Sequence, residues 1–122
     1  KRGLKKKKCC FMQNEILKYI EDIGFSISRI EFHIKSISSF YEFKEAWTIY
    51  DAVERRLAVV GEAVWQIDKI DKDFALTDKR KIIGLRHIPT HDYDLVSPDI
   101  IWKIIENNLP ILKQEINNYL KK

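Results

Sequence analysis

An all-α, up-and-down bundle of four to five helices is the fold that this 122-residue chain predicts, and three observations carry the expectation. Ile16, Ile20, Ile23, Ile27, Ile30, Ile34 and Ile37 alternate steps of four and three, the stripe of a long amphipathic helix. The same rhythm returns at Val53, Leu57, Val60, Val64 and Ile67. No period-two alternation of useful length and no Asn-Gly or Asp-Gly hairpin turn speaks for strands.

The first helix follows from the isoleucine stripe and is interrupted by Ser36, Ser38 and Ser39, where Phe40, Tyr41 and Phe43 are expected to pack at the turn. The second should run from about Glu45 to Ile70 with Gly61 inside it. A mid-helix glycine costs about 1 kcal/mol relative to alanine, so Gly61 implies close approach by another backbone or side chain. The polar segment from Asp68 to Asp78 is a connection, after which Thr77 or Asp78 can cap a shorter helix carrying Ile82, Ile83 and Leu85. Pro89 has no N–H to return to the carbonyl of Leu85, so that helix must bend or loosen there. Ser97-Pro98-Asp99 is a strong start signal: serine as N-cap, proline at the first helical position, a carboxylate favoured by the helix dipole. Ile101, Ile105, Leu109, Leu112, Ile116 and Leu120 supply the inner stripe of the last helix, which Pro110 should kink.

The length suits one domain with a single core. The formal charge of +4 and pI near 9.0 suggest a nucleic-acid binder. However, Lys1, Arg2 and Lys5 to Lys8 hold six of the 22 bases; without them 16 bases face 18 acids, a balance of −2. Residues 1–11 are therefore read as a basic extension, native or left over from cloning, and disordered, with the bundle domain at 12–122. Global basicity carries no nucleic-acid argument, and substrate attraction must be local. Cys9 and Cys10 are adjacent, a spacing unsuited to zinc or a disulfide framework. With no apolar run of about eighteen residues and no signal-peptide core, the expected setting is cytoplasmic, off the membrane.

The chemistry concentrates in Arg86-His87-Ile88-Pro89-Thr90-His91-Asp92-Tyr93. RNA is cut without a metal when one group takes the 2′-hydroxyl proton, another protonates the leaving 5′-oxygen, and a fixed cation stabilises the phosphorane between them. His91 can serve as acid or base near neutral pH, and Arg86 can grip a phosphate bidentately. Five residues apart, they would lie about 140° from each other on an unbroken α-helix; the Pro89 distortion or two chains must bring them together. Taken singly, His91 reads as a helix cap or surface residue, Arg86 as an ion-paired side chain, and Tyr93 as the edge of the core. The joint spacing singles them out. His87 and Glu62 are supporting candidates, Glu62 either pairing with Arg86 across the helices or standing as a surface carboxylate. Asp92 and Asp94 either orient a histidine or are simply solvated, Trp47, Trp65 and Trp102 read as core or interface anchors, and His33 has no assigned role.

The Arg86, four residues, His91, one residue, Tyr93 pattern resembles the HEPN superfamily, and within it the HepT-like toxins. Asp51 to Leu57 with Val60 to Ala63 looks like the family's second-helix block, Ile82 to Arg86 like the approach to its motif, and Ile101-Trp102 with Leu109 to Leu112 like its final helix, so that the likeness covers about Asn14 to Leu120. The chain departs from the pattern at Pro89, where a helix-compatible apolar residue is usual, and at Asp94, where an aromatic residue is common. The resemblance implies a helical bundle that forms a homodimer with a shared cleft, a metal-independent endoribonuclease toxin needing no cofactor, with RNA as substrate and Arg86 and His91 as catalytic residues. It implies that a minimal nucleotidyltransferase antitoxin adds AMP to Tyr93; the added bulk and negative charge would repel RNA. The competing expectations are an inactive HEPN subunit that binds nucleotide or RNA beside such a partner, and a purely structural helical adaptor.

Overall fold

The computed structural model describes residues 2–90 and 97–121, with side chains at 11–88 and 97–121. Its elements are α1 (Arg2–Ile34), α2 (Phe40–Glu45), α3 (Trp47–Ile70), α4 (Lys79–Gly84) continuing into a 3₁₀ stretch (Leu85–Thr90), and α5 (Pro98–Lys103) joined through a π stretch (Ile104–Asn108) to α6 (Leu109–Leu120). The expected all-α bundle is present. α1 begins at Arg2, so its backbone carries through the lysine run and residue 11 marks no break in the helix.

α1 and α3 form the broadest interface. Ile16, Ile20, Ile23, Ile27 and Ile30 from α1 and Val53, Leu57, Val60, Val64 and Ile67 from α3 are all buried, joined by Ile101, Ile105, Leu109, Leu112 and Ile116. Each such side chain contributes about 1.5–3 kcal/mol relative to exposure, and the β-branched isoleucines have little rotamer freedom to lose. Beyond Ile30 the stripe leaves the core: Ile34 and Ile37 are only half-buried.

The serine-rich break ends α1 and starts α2. Ser39 is extended and its Oγ accepts the N–H of Glu42 at 3.2 Å, while the Glu42 carboxylate accepts from the N–H of Ser38 at 2.9 Å. The Ser38 N–H foremost, and then the Ser38 hydroxyl donating at 3.0 Å, hold the Glu42 carboxyl below its ordinary range. The aromatic turn is thus a short capped helix. It buries Phe43 completely, with ring centroids 5.0 Å from Trp102 and 5.5 Å from Tyr50. Tyr50 is itself half-buried and bonded to Glu54, and burial with that carboxylate pushes its phenol up to about 12.

α4 is pinned at its start by a polar knot. The buried Asp68 carboxylate lies 2.9 Å from Lys79 Nζ and 3.2 Å from Arg80 Nη1. Lys79 also donates to the carbonyls of Lys72 and Phe74 at 3.1 and 2.8 Å. Asp78 stands at the helix start, as expected, in the left-handed region at φ 56°, which aspartate tolerates better than most residues. Its carboxylate caps nothing, however; it accepts from the buried Asn108 Nδ2 at 2.8 Å. Thr77 bonds instead to Glu115 of α6, its Oγ1 donating at 2.7 Å.

The start at Ser97-Pro98-Asp99 is as expected, with Pro98 in the first turn of α5 and Ser97 bonded to the Asp99 carboxylate. Pro110 stands just beyond a change of winding in the last rod. Lacking an N–H, it leaves the carbonyl of Glu106 without an α-helical donor, and the chain widens so that Leu109 N–H reaches the carbonyl of Ile104, five residues back.

Gly61 determines how closely α4 approaches α3. A Cβ built there would stand 2.6 Å from Arg86 N, 2.7 Å from Ile82 O and 3.1 Å from the Leu85 carbonyl carbon, all backbone atoms. Gly61→Ala should therefore destabilise the protein by about 1–3 kcal/mol despite alanine's better helix propensity, read as a lower urea midpoint at unchanged slope; an unchanged or higher midpoint would refute the close contact. The hydrogen bond and charge of Lys79 lower the pKa of Asp68 from its ordinary 3.8. A depressed carboxyl stabilises fully above its unfolded value and loses that contribution as pH falls through its folded one. The stability advantage of the parent over Asp68→Asn should thus be constant at neutral pH and shrink below about pH 3.8; parallel stability–pH curves down to pH 2 would contradict it.

Candidate functional site

The site is built on the end of α4. At Gly84 the α-helix gives way to 3₁₀ winding over Leu85–Thr90, the backbone irregularity that Pro89 predicted. Leu85 and Ile88 point inward and are buried, while between them Arg86 is half-buried and His87 exposed. The two apolar residues seat the turn on the core, and the two polar ones are carried at its rim.

Arg86 is held from below by α3. Gly61 allows its backbone nitrogen to approach, and Trp65, one helical turn on, reaches back along α3 as helical side chains do. The guanidinium carbon of Arg86 lies 4.0 Å from the centroid of the Trp65 ring. Lys69, a further turn along, places its ammonium 4.3 Å from the same centroid. Such contacts are worth about 0.5–2 kcal/mol each, more as water is excluded. Arg86 Nε is buried without an acceptor among the described residues. Among those residues the ion pairs are Asp68 with Lys79 and Arg80, and Glu31 with Lys113; none neutralises Arg86 or Lys69.

Glu62 takes the surface alternative. It is exposed, accepts from Gln66 Nε2 at 2.9 Å, and lines a groove of about 290 Å³ with Tyr19, Asp22 and Arg55 between α1 and α3. The tryptophans divide. Trp102 anchors the core against Phe43, Trp47 is 71% exposed, and Trp65 packs against the core as expected while also supporting two cations. His91, Asp92, Tyr93 and Asp94 lie outside the described residues.

Residue types and spacing did not single out Trp65 and Lys69. The signal was present in Gly61, Trp65 and Lys69 as a run of four-residue steps, which shares one face of α3. Chemically, the arrangement is a fixed planar cation with a second cation beside it. Stacking occupies the face of a guanidinium and leaves its in-plane N–H donors for an oxyanion. Among the described residues no group of His, Cys, Asp and Glu side chains is placed to hold a metal ion, and no helix is long and apolar enough to cross a membrane.

Comparison with known proteins gives a consistent picture. A protein of Methanocaldococcus jannaschii provisionally named an RNase is 26% identical over 104 residues, covering 84% of this chain and 82% of that protein. A second from the same organism, also provisionally named an RNase, is 29% identical over 108 residues, covering 88% and 83%. One from Caldanaerobacter subterraneus subsp. tengcongensis, named in the same way, is 29% identical over 107 residues, covering 85% and 93%. No solved structure gives a significant match. The family model described as ribonuclease HepT-like matches residues 16–119, from the first buried isoleucine of α1 to the end of α6. On that match, with α4 and its 3₁₀ extension inside it, the chain belongs to the HepT-like ribonuclease family.

Proposed function

We propose that the protein is a metal-independent endoribonuclease and the toxin of a toxin–antitoxin pair, working as a homodimer whose two motifs share a cleft. Arg86 carries the reading. It is a guanidinium fixed on Trp65, with no carboxylate partner among the described residues, at the motif position that would hold the scissile phosphate. His91 exchanges the proton between the 2′-hydroxyl, the solvent and the leaving 5′-oxygen, and Arg86 stabilises the charge that accumulates on the phosphorane. The 2′-oxygen attacks phosphorus, the P–O5′ bond breaks, and the products are a 2′,3′-cyclic phosphate and a 5′-hydroxyl. His87, exposed one residue beyond Arg86, is a supporting polar group on the same rim. Glu62 supports the site only indirectly, as an exposed carboxylate of α3 held by Gln66. Tyr93 is the point at which a minimal nucleotidyltransferase silences the cleft by transferring AMP from ATP to the phenol oxygen, releasing pyrophosphate.

The purified chain should cleave a single-stranded oligoribonucleotide in EDTA. His91→Ala should slow cleavage by about 10²–10⁴-fold, and Arg86→Lys should recover little, because a point charge does not reproduce a planar bidentate donor. Folded His91→Ala protein that cuts at the parent rate would refute the assignment, and RNA binding without cleavage by the parent would favour a non-catalytic RNA-holding subunit. For Tyr93, incubation with the nucleotidyltransferase and labelled ATP should mark the parent and leave Tyr93→Phe unlabelled; equal labelling of both would place the modification elsewhere.

A further inference from the structure

We infer that Trp65 and Lys69 extend the Arg86 site into a two-cation platform for the RNA backbone, with Trp65 positioning the guanidinium and Lys69 taking a second phosphate oxygen or the neighbouring phosphate. The inference rests on the ribonuclease reading and names two binding determinants outside the Arg86–His91–Tyr93 motif.

Three observations converge on one indole. The Arg86 guanidinium and the Lys69 ammonium lie 4.0 and 4.3 Å from the Trp65 centroid, so no more than the sum of those distances separates the two charges. Like charges gathered this closely repel, and a ring quadrupole offsets only part of that repulsion. Every carboxylate in a described ion pair is engaged elsewhere, Asp68 with α4 and Glu31 with α6. Two cations without a described ion-pair partner thus share one ring on a chain that is slightly acidic without its N-terminal lysine run, a local gathering of positive charge of the kind an RNA-binding site on such a chain requires. The geometry also favours a polyanion over a small acid. The Trp65 ring lies against the guanidinium and Nε is buried, so the terminal Nη donors are the ones left to a phosphate, while Lys69 is exposed one turn further along α3. A chain of phosphates can follow the line from Arg86 to Lys69; a single carboxylate satisfies only one end.

The test measures both RNA binding and cleavage with the full-length chain and a single-stranded oligoribonucleotide at several salt concentrations. Lys69→Ala should raise KM with kcat little changed and should flatten the slope of log affinity against log salt by about 0.7, the loss of one single-strand phosphate contact. Lys69→Arg should restore both. Trp65→Leu should lower kcat/KM about three- to thirty-fold, with a share in kcat because Arg86 loses its orientation, and Trp65→Phe should recover most of it. An unchanged salt slope and KM in Lys69→Ala overturns the platform, even if Trp65→Leu proves unstable, since Lys69 is an exposed side chain. If the parent cuts RNA and Lys69→Ala behaves identically, the platform falls and the ribonuclease reading stands. If the parent binds RNA without cutting, the slope still decides the platform by binding alone. A parent that neither binds nor cuts overturns both.

Discussion

The absence of a single methyl group at position 61 governs the relation between the bundle and its chemistry. α3 is otherwise an ordinary core helix, yet at Gly61 the backbone of the segment from Ile82 to Arg86 comes within a distance that no side chain would tolerate. That approach draws the end of α4 onto α3, brings Arg86 within reach of Trp65, and lets Leu85 and Ile88 be buried on either side of it. The conformational cost of a helical glycine is offset by what the contact assembles: two short apolar anchors and a supported guanidinium on a segment too short to hold itself in place.

The Asp68–Lys79–Arg80 knot complements this contact from the other end of α4. Running antiparallel, α3 presents Gly61, Trp65 and Asp68 to the residues from Arg86 back to Lys79, so one face carries a steric contact, a cation–aromatic contact and an ion pair. Six residues of α4 are thereby fastened at both ends, and the 3₁₀ extension beyond them inherits its position. The half-buried pairing of Asp78 with Asn108 ties the same connection to the last helical rod, so that the approach to the motif is fixed from two sides.

Much of this arrangement was legible in the residues. The long stripes of α1 and α3 are visible because their periods extend over many turns, and Gly61 was informative because glycine in mid-helix demands a reason. Irregular backbone at Pro89 followed from its missing donor. α2 was not legible as a helix, since six residues show no period; its trace was the capping pattern of Ser39 with Glu42. The packing of Trp65 on the core is legible, but its second role is not, because its two cations converge only in three dimensions and one of them comes from another helix. For the same reason Asp78 looked like a cap: its position was evident, but the pull of Asn108 is a tertiary fact.

The widened turn at Ile104–Asn108 has a bearing on the phase of the last rod. Ile101, Ile105 and Leu109 are separated by two consecutive four-residue steps, and on a regular α-helix each such step swings the apolar line about 40° around the axis. Left uncorrected, the drift would move the later contacts away from the core. A turn with more residues winds more slowly and takes part of that angle back, so α5 meets α2 and α6 meets α1 in separately set phases along one continuous rod. Pro110 thus acts as a gear in the helix: the donor it lacks enforces the slower winding that keeps Leu112 and Ile116 facing inward.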